Sequence, residues 1–201
     1  MQIINLLINS IMQIILFTII PFVWWLIARK QHQHPSFLFW IGIKKPVINN
    51  KKKYIFSFIV IGIISLIIFF IIPFIVGDAD TASSQFAGQG ISGLIPALIY
   101  SIIHTGLSEE IFFRGFLTKR LTNRFGFKVG NIIQGMLFGL VHGFLFFVAI
   151  GALKAMLIVF ITGLVGALMG WINEKQSGGS IIPSWLLHSF ANMASAIIVM
   201  F

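Results

Sequence analysis

Six apolar runs, each close to the ~20 residues a helix needs to cross hydrocarbon, leave this chain few ways to fold. They cover residues 3–27, Tyr54–Val76, Ile91 to about Leu107, Gly130–Ile150, Gly151–Trp171 and Ile181–Phe201. Lipid offers backbone groups no hydrogen bonds, so each run must satisfy its own N–H and C=O groups as a helix. The balance of residues agrees. The chain is 58% apolar and 9% charged, whereas a soluble domain is nearer ~25% charged. The expected fold is all-α, a polytopic transmembrane bundle of about six spans.

The charges fix an orientation. A formal charge of +9 suggests nucleic acid only if the cations line one face, and here they sit in short breaks between apolar runs. Segments 29–53, 119–128 and 173–180 hold 12 of the 14 Lys and Arg. Lys154 alone is assigned to the opposite side, and Arg114 lies within a span. The positive-inside rule then puts both termini outside the cytoplasm. Trp24 and Trp25, followed by Arg29 and Lys30, suit the headgroup zone and mark the first run as a retained helix, not a cleaved signal. The patch Phe37–Ile43 is too short to span and suits an interfacial helix. The connection at Gly151 is so tight that a kink or re-entrant turn competes with a loop there. Gly139, Gly143, Gly163, Gly166 and Gly170 recur at three- and four-residue steps on the flanking runs, which lets helices approach closely. With no cysteine, disulfides and thiolate metal sites are excluded.

Against this background Leu107-Ser108-Glu109-Glu110-Ile111-Phe112-Phe113-Arg114-Gly115 stands out. Each charge costs about 2.5–3.5 kcal/mol at mid-membrane, so three together need partners or water. Glu110 and Arg114 are at i and i+4 and pair on one helix face. Glu109 is turned ~100° from Glu110 and is left free for another task, such as general base. His188 and Asn192 share a face by the same spacing, as do Phe138 and His142. His104 precedes Glu109 by five residues, about 140° around an α-helix, and is expected to face elsewhere. His32, His34, Asp78, Asp80 and Glu174 are expected as solvated surface.

Glu-Glu-x-x-x-Arg at 109–114, Phe-x-x-x-His at 138–142 and His-x-x-x-Asn at 188–192 resemble the ordered motifs of the CPBP family. That family comprises CAAX-type prenyl endopeptidases and bacteriocin-processing or immunity proteins, also called ABI-type membrane proteases. The resemblance covers roughly residues 90–201. It implies two parts: residues 1–86, two helices with a basic cytoplasmic loop, and residues 87–201, the catalytic bundle. It further implies that Glu109 and His142 activate water, that His188 and Asn192 stabilise the oxyanion, and that Glu110 and Arg114 are an orienting pair. Phe138 stands beside His142 as a supporting ring. Glu109, His142 and His188 also match a catalytic zinc set with water in the open position. They suit a metal-free glutamate mechanism equally, and both readings stay open.

The expectation is an intramembrane endopeptidase of a bacterial plasma membrane, acting on a peptide, leader or bacteriocin-related substrate near the cytoplasmic side. Its partners would be a peptide or membrane-protein substrate and the bilayer, with no nucleic acid. The competing readings are an immunity protein that works by contact without proteolysis, and a proton relay or transporter. The last would gain from inverted repeats, and no internal symmetry is evident.

Overall fold

The computed structural model describes residues 2–28 and 36–201. Arg29, Lys30, His32 and His34 lie outside the described residues. Helix α1 is Gln2–Ala28, α2 is Phe37–Ile41 and α3 is Lys51–Val76. Helix α4 is continuous over Gly90–Phe125, α5 covers Phe127–Gln176 and α6 covers Ile182–Met200. No strand occurs among the described residues. All but α2 are long and apolar enough to cross a membrane, five helices in total. Their outer faces carry bare apolar side chains: Phe74 is 85% exposed and Val148 94%. A multi-pass protein in lipid is the setting in which such a surface is stable.

Glycines set the ends of these helices. At Gly42, Gly126 and Gly151 φ is 93°, 77° and 76°, a region that Cβ-bearing residues avoid. The break at Gly151 matters most. Fifty helical residues would extend about 75 Å, more than twice the hydrocarbon thickness. Instead the arms on either side fold back on each other. Asn131 Nδ2 donates to the Ala167 carbonyl at 2.9 Å, and Gln134 Nε2 to the Gly166 carbonyl at 2.9 Å. A Cβ on Gly135 would stand 2.8 Å from the Gly163 carbonyl oxygen, and one on Gly143 would stand 2.8 Å from that of Ala155. Pairing that falls along one arm as it rises along the other is an antiparallel hairpin. The small-residue steps seen in the sequence are the seam of that hairpin.

The connections collect at two ends of the bundle. At one end Ile181 N–H donates to the Gly42 carbonyl at 2.9 Å, Val47 N–H to Ser177 at 3.1 Å, and Ser180 Oγ to Lys44 at 2.6 Å. Lys119 ties the same end together, donating to Glu174 and to the Gly179 carbonyl, both at 2.7 Å. Glu174, expected to be solvated, is therefore half of a part-buried ion pair. Helix α2 folds under this end, with Trp40 and Ile41 packed against Ile111, Phe116 and Ile181. It is more than an interfacial patch. At the other end Gly88 N–H donates to the Val199 carbonyl at 3.1 Å, and Leu6 joins Phe86, Tyr100 and Met200. The start of α1, the 77–90 loop and the end of α6 thus share that end. The described Lys and Arg lie at the first end, apart from Lys154 and the buried Arg114.

Candidate active site

Helix α4 positions the carboxylates through an unusual winding. Tyr100–Leu107 and Ile111–Thr118 are π-helical, and between them Ser108–Glu110 form one α turn. Wide turns free carbonyls from the α pattern, and side chains take some of them up. Thr105 Oγ1 bonds the Tyr100 carbonyl at 3.2 Å and Thr118 Oγ1 that of Phe113 at 2.9 Å, each five residues back. Trp185 of α6 donates its indole N–H to the Ile102 carbonyl at 2.7 Å. Gly106 admits α6 here, since a Cβ would stand 2.7 Å from Ser189 Oγ.

The two glutamates part company at once. Glu110 is fully buried and accepts on both oxygens. Its Oε1 lies 3.0 Å from Arg114 Nη1 and 3.1 Å from His188 Nδ1, and its Oε2 takes the Ser184 hydroxyl. Ser184 is itself held by Asn173, whose Nδ2 donates to Ser184 Oγ at 2.6 Å while its Oδ1 accepts the Ser184 N–H at 3.3 Å. The Arg114 guanidinium lies 4.1 Å from the Phe138 ring centroid and reaches Met169 Sδ at 3.7 Å. Pairing and hydrogen bonds on both oxygens make the buried Glu110 charge tolerable, whereas Arg114 keeps its ion pair while its Nε and Nη1 have no hydrogen-bond partner. The i, i+4 pairing expected of Glu110 and Arg114 is present.

Glu109 faces a cavity of about 600 Å³, together with His142, His188, Asn192 and Phe138. Its Oε2 is buried without a hydrogen-bond partner, 3.8 Å from His188 Nε2. With His188 Nδ1 directed to Glu110, Nε2 is the ring atom turned to the cavity side. His142 is fixed in the same manner: Nδ1 lies 2.8 Å from the Phe138 carbonyl, and the two rings stand 4.4 Å apart. The Phe138 ring also meets His188 edge-on at 6.0 Å. Asn192 Nδ2 donates to Thr105 Oγ1 at 2.7 Å. All residues of the three motifs that could do chemistry therefore converge on one place.

His104 differs from expectation. It lines the same cavity as Glu109, stacked on Tyr100 at 5.1 Å. The 140° separation assumed an α-helix, and in a π-helix residues five apart come nearly into line. Two supporting residues were not anticipated. Asn173, which the sequence places in the break at 173–180, is buried within α5, and Ser184 is buried on α6. Ser184 had a signal: it lies four residues before His188 on the face that His188 shares with Asn192.

A zinc held by Glu109, His142 and His188 would need the three donors around one point. Among the described residues no three His, Asp or Glu side chains have that arrangement.

A family model described as type II CAAX prenyl endopeptidase Rce1-like matches residues 91–194, just over half of the chain. No curated protein matches the chain, nor does any solved structure. The match takes in both π-helical stretches, the α5 hairpin and the motif face of α6, the parts that carry Glu109, His142, His188 and Asn192. By that match this multi-pass chain belongs to the type II CAAX prenyl endopeptidase Rce1-like family of membrane proteases.

Proposed function

We propose that the protein is an intramembrane endopeptidase whose general base is Glu109. The observation that carries this is the contrast between neighbours, with Glu110 locked in a buried network while the Glu109 carboxylate is turned to the cavity beside both motif histidines. A water donating one proton to Glu109 and the other toward His142 Nε2 adds through oxygen to the peptide carbonyl carbon. The oxyanion formed takes N–H groups from Asn192 and from His188, the latter when its Nε2 carries a proton. Glu109 then passes its proton to the nitrogen as the C–N bond breaks, releasing an amine and a carboxylic acid, whose remaining water proton leaves through His142 Nε2 to give the carboxylate. Glu110, Arg114 and Phe138 hold the imidazoles in register. No step runs through a metal.

The host membrane is a bacterial plasma membrane. Counting the two arms of the α5 hairpin as separate spans supports a reading of six crossings, with both termini on the extracytoplasmic side. Residues 87–201 form the catalytic part, and residues 1–86 are its companion. The substrate is a peptide, leader or bacteriocin-related segment. Purified wild type and Glu109→Gln, each incubated with membrane-peptide substrates and assayed for bound metal, test the reading. Loss of cleavage by about 10²–10⁴-fold in the variant is expected. Equal cleavage by the two proteins removes Glu109 as base. A bacterial immunity phenotype that Glu109→Gln leaves intact would transfer the role to contact without proteolysis.

A further inference from the structure

The cavity holding Glu109 is closed at one end. On α3, α4, α5 and α6 the lining residues lie between the weakly charged end of the bundle and the level of Glu109, and α1 adds Gln13 from its middle. On α3 they run from Pro73 to Ser65, and on α6 from Val199 to His188. On the α5 hairpin they stop at Phe138 and Met169. Along α4, Tyr100 and His104 come before Glu109, and nothing beyond Glu109 lines the cavity. The 77–90 loop also lines it, from the exposed Asp80 to the buried Ser83.

Below Glu109 the bundle is sealed. Glu110, Ser184, Asn173 and Arg114 are at most 1% exposed and form the floor. Beneath that floor come the packed side chains of Trp40 and Ile41, then the Lys119–Glu174 tie. No basic connection contributes a lining residue. We propose that the peptide substrate reaches Glu109 from the end opposite the basic loops. On the membrane orientation already proposed, that is the extracytoplasmic face. The substrate class is then an apolar segment presented there, such as a translocated peptide or the outer end of a membrane-anchored chain. A free C-terminus in the cytoplasm would meet the sealed end. The expectation of hydrolysis near the cytoplasmic side changes accordingly.

The natural chain contains no cysteine, so a single introduced thiol reports access cleanly. Ser195→Cys places one on the cavity wall, and Lys52→Cys places one at the basic end. A bulky, membrane-impermeant maleimide is applied to intact cells and to inside-out vesicles. In intact cells the Ser195→Cys protein should be labelled and the Lys52→Cys protein should not, with the reverse in inside-out vesicles. Cleavage by labelled Ser195→Cys should then fall at least tenfold relative to the same protein unlabelled. Labelling of Ser195→Cys only in inside-out vesicles overturns the proposed face of entry, as does cleavage unaffected by the adduct. Failure of the protease reading looks different: Glu109→Gln cleaves like wild type, or nothing is cleaved, while the labelling pattern still decides from which side the cavity opens.

Discussion

Glu109 and Glu110 are chemically identical and adjacent, yet their neighbours give them opposite work. Removing the charge of Glu110 leaves the Arg114 guanidinium fully buried with its counter-charge gone. Breaking a buried pair in this way costs about 3–5 kcal/mol. Glu110→Gln should therefore lower thermal stability in detergent sharply, whereas Glu109→Gln should unfold near the wild-type temperature while losing cleavage. Thermal unfolding of the two variants side by side checks this, and equal destabilisation would mean that Glu109 too is structural. Ser184→Ala is milder. It removes one donor from Glu110 and leaves Asn173 Nδ2 without its acceptor. A loss of about 1–3 kcal/mol is expected from unfolding measurements. These roles were half legible. Spacing at i and i+4 exposed Glu110–Arg114, Phe138–His142 and His188–Asn192. It could not reveal Asn173, which meets Ser184 only because two helices pack, nor His104, whose direction depends on how α4 is wound.

The element that most shapes the site is α4, and its winding cannot be read from residue types. Its apolar pattern predicts a continuous helix, which is observed, but the two π-helical stretches depend on contacts from other helices such as that of Trp185. The α5 hairpin is the opposite case. Its glycine steps announced a close seam, and the turn at Gly151 decides what the tight connection is. The two kinds of glycine predict two sizes of effect. A side chain at Gly139 would run into the Val159 carbonyl of the other arm, where backbone meets backbone and neither can yield. Gly139→Val should force the arms apart and abolish the folded, monodisperse protein in detergent. At Gly151 there is nothing within 4 Å, and only its positive φ objects. Gly151→Ala should cost roughly 1–2 kcal/mol and leave the protein folded. Size-exclusion profiles and unfolding temperatures separate the cases, and a well-folded Gly139→Val would refute the backbone-contact account of the hairpin.

At the scale of the molecule, charge and cavity are segregated to opposite ends. The segregation of charge was visible in the order of runs and loops, because the positive-inside rule acts on local sequence. The cavity was not, because its depth depends on where five helices stop lining it. One consequence is that the two ends should be separable by mutation. Lys119 fastens α4 to the end of α5 and to the loop before α6, far below the residues that line the cavity. Lys119→Met deletes a charged bond to Glu174 and a second to the Gly179 carbonyl. Hydrogen bonds to charged groups are worth ~1.5–3 kcal/mol, and both sites here are partly exposed, so a loss near the lower figure is expected. Cleavage per folded molecule should nevertheless stay within about twofold of wild type, since no cavity-lining residue is touched. Unfolding temperature and the turnover of the folded fraction measure the two effects separately. A large fall in turnover at unchanged folded fraction would mean that the basic end communicates with Glu109, and the bundle would then have to be treated as open, or mobile, at both ends.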